Sequence, residues 1–221
     1  RAQGRKTGLL GTIRYEIGER VIPAPNTTPG ALELQEYLAE MIQAGLPAAV
    51  MEVSSHAIRQ RRIEGVRFRA GVFTNLSPEH LDYHKNLEDY RDTKASFLQS
   101  LPVGSVAAVN ADDPVGGYMA GRAGGRVLTF GLESGDVRAA LIRSTFDGLE
   151  ADLHLGGKTL RVHSPLIGRH NLYNILAAAA AACGVGISPE GIVRGVGEAH
   201  PVPGRLEPVP TDRGFRVFVD Y

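Results

Sequence analysis

The chain has 221 residues, 43% of them apolar, which is enough for one large or two small domains with a buried core. Its 24 Lys and Arg are balanced by 24 Asp and Glu, so no charge excess argues for nucleic acid or an anionic membrane as a partner. Cys183 is the only cysteine, which excludes an internal disulfide and fits a reducing compartment; the longest apolar run, Ile175–Cys183, falls short of the roughly 20 residues a bilayer span needs.

Apolar runs alternate with helical patterns as far as about residue 131. Arg1–Thr7 reads as the tail of a helix running into a strand over Gly8–Thr12. A loop with Pro23, Pro25 and Pro29 follows, then a helix over about Gly30–Ala44 with Leu32, Tyr37, Leu38 and Met41 as its apolar stripe. Ala48–Val53 reads as a short buried strand, and Ala70–Leu76 as a second strand beside it. A helix at Leu87–Gln99 leads to strand Ser105–Val109, whose end is the turn Asn110-Ala-Asp-Asp-Pro114, and then to strand Arg126–Phe130. This repetition predicts an α/β fold, a mostly parallel sheet flanked by helices. From Val137 to Val162 the pattern changes to alternation around Gly156-Gly157, which predicts a small antiparallel β insert. A helix over His170–Cys183 and a second one capped by Ser188 complete the pattern. Phe215–Tyr221 reads as a strand without a following turn, and the chain has no initiator Met, so a longer protein is expected.

Polar residues gather where the predicted strands end. Ala48–Val53 runs into Glu52, Ser54, Ser55 and His56, and Ala70–Leu76 leads to Glu79-His-Leu-Asp-Tyr-His84. In α/β sheets ligands bind at the carboxyl ends of strands, so a metal or phosphate site is expected here. A carboxylate ending a buried strand is costly unless it is paired or metal-bound, which singles out Glu52. His80 and His84 have the spacing of two ligands on one helical face, or of a plain surface turn. Asn26-Thr-Thr-Pro29 is either turn and cap material or a cradle for an anion. Arg59, Arg61 and Arg62 around Gln60 are either a solvated face or a clamp for a carboxylate or phosphate. Composition alone makes Lys94 a solvated helix lysine. Asn171 and Asn174 either cap a helix or read a base edge.

Taken in order, Asn26-Thr-Thr-Pro29, Met51-Glu-Val-Ser-Ser-His56, Thr74-Asn-Leu76, His80-Leu-Asp-Tyr-His84, Lys94, Gly168-Arg-His-Asn-Leu-Tyr-Asn174, Val202-Pro-Gly-Arg-Leu-Glu207 and Val219-Asp-Tyr221 resemble the central domain of the Mur ligases. Within that family they are most similar to the tripeptide-synthesising branch, MurE. One departure is Glu79, where the family usually has Asp. Another is that no Gly-x-x-x-x-Gly-Lys-Ser/Thr loop occurs; Gly4-Arg-Lys-Thr7 echoes only its end.

The resemblance implies that residues 1–221 are a central domain cut at both ends, with about 206–221 leading into a further domain. It implies an ATP-dependent ligase that joins meso-diaminopimelate or L-lysine to UDP-MurNAc-L-Ala-D-Glu through an acyl phosphate. It implies a monomeric cytoplasmic enzyme of peptidoglycan synthesis, and an isolated 221-residue piece without activity. Asn26, Thr27, Thr28, Ser54, Gln60 and Arg62 would hold the UDP-linked substrate. Asn171, Asn174, Arg205 and Asp220 would contact ATP. The catalytic set would be Glu52, His80 and Lys94, with Glu52 on one Mg²⁺, and His80 and a carbamylated Lys94 on a second. The competing readings are a related ligase of the MurD or folylpolyglutamate synthase type, and a metal-dependent hydrolase built on Glu52, His80, His84 and Lys94.

Overall fold

The computed structural model describes residues 1–220. The chain opens with a turn closed by Gly4 N–H donating to the Arg1 carbonyl (2.8 Å), not with the expected helix tail. Gly4 adopts φ +73°, which breaks any helix there. Strand β1 (Thr7–Leu10) follows, then a hairpin of β2 (Arg14–Ile17) and β3 (Arg20–Pro23) that turns at Gly18, φ +65°. The prolines nearby mask this hairpin in the sequence. It matters for the site, because Ala24 N–H bonds the Ile13 carbonyl (3.2 Å) and the buried Tyr15 hydroxyl donates to the Asn26 carbonyl. Asn26–Pro29 is thereby held against the strands.

Helix α1 (Ala31–Gln43) packs on this small sheet through Leu34 and Met41. Leu32 is 75% exposed and lies outside the stripe that its spacing suggests. Strand β4 (Ala48–Met51) pairs in parallel with β1, giving a four-stranded sheet in the order β3-β2-β1-β4. Helix α2 (Ser55–Arg59) then leads across to β5 (Ala70–Phe73), the edge of a six-stranded sheet. Helix α3 (Leu87–Gln99) follows, capped by Asn86, whose side chain accepts from Asp89 N–H (2.8 Å). The remaining elements are β6 (Val106–Asn110), α4 (Gly116–Arg122), β7 (Arg126–Gly131), β8 (Val137–Thr145), β9 (Gly148–Leu155), β10 (Lys158–Ser164), α5 (Arg169–Gly184), α6 (Pro189–Gly197), β11 (Glu207–Val209) and β12 (Val217–Val219).

The six-stranded sheet runs β10-β9-β8-β7-β6-β5. Strands β5 to β8 are mutually parallel, and β8, β9 and β10 are antiparallel, so the expected insert continues the main sheet instead of standing apart. The alanine run of α5 explains its seat: Leu172, Ile175, Leu176, Ala177, Ala179 and Ala180 are buried in the largest core, where small side chains allow close helix–sheet approach. Cys183 packs at the margin of that core, as a small apolar residue should. Ser188 caps α6 by accepting from Gly191 N–H (3.2 Å).

The sequence places β4 and β5 side by side, with β4 buried. In the structure they are edges of two different sheets, and Ala48, Ala49 and Val50 are exposed. An apolar run marks a buried strand only when both edges and both faces are covered. β4 has a single paired neighbour, which leaves Val50 60% exposed.

Gly116 and Gly117 give a paired test of this packing. A Cβ on Gly116 would sit 2.1 Å from the Asn110 carbonyl oxygen, whereas one on Gly117 meets nothing within 4 Å. Gly116→Ala should destabilise the chain by about 1–3 kcal/mol through forced backbone shift. Gly117→Ala should be neutral or stabilising by up to about 1 kcal/mol, since alanine favours the helix. Thermal melts of the two variants check this.

Candidate active site

Three groups of side chains stand out at the strand ends. The first is built around Thr28, which is 1% exposed. Its hydroxyl donates to the Glu52 carbonyl (2.9 Å) and accepts from the Ser54 N–H (3.0 Å). Ser54 caps α2 by accepting from Ala57 N–H (3.2 Å). Arg62 donates to the Thr28 carbonyl (3.0 Å) and to the Gln60 side-chain oxygen (2.8 Å). Thr28, Ser54, Gln60, Arg62 and Glu52 are thus joined in one network, with Asn26 and Thr27 on the adjoining loop.

Glu52 is exposed, contrary to its expected position at the end of a buried strand. Thr12 orients it instead, donating its backbone N–H to one carboxylate oxygen (3.2 Å) and its hydroxyl to the other (2.6 Å). The Thr12 hydroxyl also lies 3.2 Å from that of Thr27. Sequence reading missed Thr12; its only signal is the Gly-Thr pair that ends the first strand. A Cβ on Gly11 would lie 2.9 Å from the Glu52 carboxylate and would push it from this position.

The second group comprises His80, Tyr90 and Lys94. His80 holds φ +57°, a left-handed conformation that is uncommon for a residue other than glycine. Its ring lies 5.9 Å from that of Tyr90, and the Lys94 ammonium sits 4.9 Å from the Tyr90 ring centroid. Lys94 is half-buried, and among the described residues it makes no ion pair within 4.0 Å. Burial depresses its pKa, with Glu79 opposing the shift. Lys94 is therefore not the solvated lysine its composition suggests, and its neutral amine is more accessible than usual.

His84 connects the two groups. Its helical spacing from His80 does not make it a partner ligand, because the 80–84 segment is a single turn and His84 is 2% exposed. Its Nε2 lies 2.9 Å from the Ser55 hydroxyl, and its Nδ1 lies 3.5 Å from the Asp89 carboxylate. Asp89 pairs with Arg59 (2.7 Å), and the Arg59 hydrogen bond holds its carboxyl below the ordinary range. Arg59 also reaches the Thr93 hydroxyl (3.3 Å). This cross-tie fixes α2 to α3, and so places Glu52 and Ser54 relative to Lys94. The basic cluster splits accordingly: Arg59 is structural, Arg61 pairs with Glu64 on the surface, and Arg62 faces Thr28.

The third group lines a cleft with Phe146, Leu166, Asn171, Asn174, Arg205 and Phe218. Asn171 donates to the Ile167 carbonyl (2.8 Å), and Asn174 donates to the Asn171 side-chain oxygen (3.1 Å). Asp220 accepts from the Leu206 N–H (3.2 Å), next to Arg205. Tyr221 lies outside the described residues.

The Mur ligase middle-domain model matches residues 1–182. The chain belongs to the Mur ligase family. A UDP-N-acetylmuramoyl-L-alanyl-D-glutamate–2,6-diaminopimelate ligase from Geobacter metallireducens is 44% identical over 225 residues, covering 99% of this chain and 44% of the relative. A ligase of the same name from Geobacillus kaustophilus is 40% identical over 230 residues, covering all of this chain and 47% of that protein. A solved structure of a ligase with that name superposes with TM-score 0.85 and 31% identity, covering 96% of this chain and 44% of that one. The Mur ligase chain therefore spans less than half the length of the curated relatives it matches.

The buried His84–Ser55 contact is testable. Ser55→Ala leaves His84 Nε2 buried without a partner and should cost about 1–3 kcal/mol. Adding His84→Phe should cost less than the sum of the two single changes, because no polar atom is then stranded. Urea unfolding of the four proteins in this cycle measures the coupling.

Proposed function

We propose that residues 1–221 form the ATP-using central domain of a longer ligase that adds 2,6-diaminopimelate to UDP-MurNAc-L-Ala-D-Glu. The observation that carries this reading is 40–44% identity along the whole chain to relatives named for that reaction. The geometry supports it. In this reading Ser54, Gln60 and Arg62, with Asn26 and Thr27 beside them, hold the UDP-linked substrate; Thr28, expected from the sequence as a direct contact, is buried and internally satisfied and instead fixes the loop that presents them. Arg62 uses two of its five N–H groups internally in the bonds above, which leaves donors for an anion. The cleft with Asn171, Asn174 and Arg205 receives the nucleotide, with Asp220 at its rim.

The residues also fit two Mg²⁺ ions. Among the described residues no three His, Cys, Asp or Glu side chains converge as a closed metal cage. Mg²⁺ does not need one, because it commonly takes one or two protein oxygens and completes its shell with phosphates and water. Glu52, exposed and oriented by Thr12, would supply one such oxygen. His80 and Lys94 would serve the second ion, Lys94 as a carbamate. In that step the neutral amine attacks CO₂, loses one proton and becomes an anionic oxygen donor. When bound, the ions would neutralise phosphate charge during transfer.

The chain's own residues would then position the reaction. The substrate carboxylate, held near Thr28 and Arg62, takes the γ-phosphoryl group of ATP and releases ADP. The amine attacks the acyl carbon, the C–N bond forms and phosphate leaves. The fixed donors and the Glu52–Lys94 placement act by orientation and charge. On this reading the enzyme works in the cytoplasm as a monomer, with no nucleic-acid partner. The hydrolase alternative needs His84 as a ligand, but His84 is buried against Ser55.

The longer polypeptide carrying this chain should release ADP and phosphate only when both the UDP-dipeptide and diaminopimelate are present. Equal turnover with L-lysine, with folate, or with UDP-MurNAc-L-Ala and D-Glu would point to the related ligases instead. Lys94→Ala should nearly abolish this activity, and short carboxylic acids should restore part of it by refilling the oxygen site. Lys94→Arg should show no rescue, because the guanidinium fills the space and keeps its charge. A full-rate enzyme with an unmodified Lys94 by mass measurement would defeat the carbamate role. Arg62→Ala should raise KM for the UDP-dipeptide about ten- to a hundredfold with kcat little changed, the signature of a charge-assisted contact made equally in ground and transition states.

A further inference from the structure

The turn that ends β6, Asn110-Ala-Asp-Asp113, is absorbed by none of the roles above. Asn110 is buried on a central strand and donates to the Thr74 carbonyl (2.7 Å). Asp113 accepts from Leu76 N–H (3.1 Å) and from Val115 N–H (3.0 Å). These bonds pin the loop that runs on from β5 towards Glu79 and His80. On the other side, one Asp112 oxygen accepts from Leu132 N–H (2.6 Å), Glu133 N–H (3.0 Å) and the Tyr173 hydroxyl (3.0 Å). The second oxygen accepts from the N–H (3.0 Å) and the hydroxyl (3.1 Å) of Ser134. A carboxylate has about four lone-pair sites, so none remains for a metal or ligand. Burial disfavours its charge, but these donors outweigh burial and hold the Asp112 carboxyl below its ordinary range. A Cβ on Gly131 would lie 2.6 Å from this carboxylate, so the local chain is shaped around it.

Tyr173 lies on α5 between Asn171 and Asn174, whose side chains line the nucleotide-side cleft. A helix moves as a unit, so the hydroxyl of Tyr173 references both amides to the β6 turn. The same turn references the loop after β5.

We propose that Asn110–Asp113 is the joint that sets the nucleotide-side face of α5 against the phosphate-side loop after β5, with Asp112 and Tyr173 as positioning residues. This rests on the reading of Asn171 and Asn174 as nucleotide contacts. The joint acts on where ATP sits, not on the chemical step, so its loss separates KM for ATP from KM for the UDP-dipeptide.

The test has two arms. In the longer ligase, Tyr173→Phe should raise KM for ATP about three- to tenfold, the worth of one hydrogen bond, and leave KM for the UDP-dipeptide unchanged. Asp112→Asn should do the same more strongly, because an NH2 group replaces one of the two acceptor oxygens and faces N–H donors, and adding Tyr173→Phe to it should cost less than Tyr173→Phe alone, because the two residues share a bond. Asp136→Asn is the control: Asp136 staples the β7–β8 connection through Thr129 N–H (2.9 Å) and hydroxyl (2.7 Å) and touches neither α5 nor the β6 turn. It should lower the melting temperature without a selective effect on ATP. In the second arm, amide hydrogen exchange on the 221-residue chain itself should speed up by about tenfold or more at Leu76 and in the second turn of α5 together in Asp112→Asn. This arm stands whether or not the parent protein is a diaminopimelate ligase, and a wild type inactive with diaminopimelate would overturn that reading alone. Exchange confined to residues 132–134, both KM values rising in parallel, or an Asp136→Asn profile matching that of Asp112→Asn would overturn the joint.

Discussion

One buried hydroxyl organises the loop, strand end and helix start around Glu52. Thr28 is shut away from water, so its oxygen and hydrogen must both be satisfied inside the protein. It meets that demand with the carbonyl of Glu52 and the amide of Ser54, two residues just past the end of β4. A loop rich in proline and threonine is thereby tied to a strand end and to the start of α2. Because leaving such a group unpaired costs more than an ordinary hydrogen bond contributes, the loop has one favoured position. The carboxylate of Glu52, the cap of Ser54 and the fork of Arg62 take their places from it.

The surroundings of Lys94 follow a different constraint. Lys94 sits against the Tyr90 ring in a half-buried position, while Arg59, the nearby fixed cation of α2, is spent on Asp89. Charge in this region is thus divided between the Arg59–Asp89 pair that holds helices together and an amine whose protonation is disfavoured by burial. The pairing of Arg59 and Asp89 is structural, and it leaves Lys94 without an ion-pair partner among the described residues. On the proposed reading this separation has a use, because phosphoryl transfer to a carboxylate brings anions together and depends on where positive charge is placed.

The fold presents these groups from two sheets. β4 delivers Glu52 from the edge of the four-stranded sheet, and β5 leads to His80 from the edge of the six-stranded one. No backbone ladder joins the two edges among the described residues. The Ser55–His84 and Arg59–Asp89 bonds therefore do by side chains what strand pairing does elsewhere. Side-chain ties of this kind are specific in geometry, since a buried histidine has few alternative partners.

The sequence by itself determined the α/β class, most of the helices, the antiparallel stretch after β7 and the family. These follow from local periodicity, from caps such as Asn86 and Ser188, and from the order of short motifs, all of which are properties of neighbouring residues. Only the tertiary structure decided that Glu52 is exposed and held by Thr12, and that β4 and β5 are separate edges. It alone decided that His84 is a buried tie and not a ligand, and that the β2–β3 hairpin supports Asn26. The reason is physical: burial, pairing and protonation depend on groups distant in the chain, such as Thr12 and Glu52 or Asp112 and Tyr173, and no local pattern records which of them will meet.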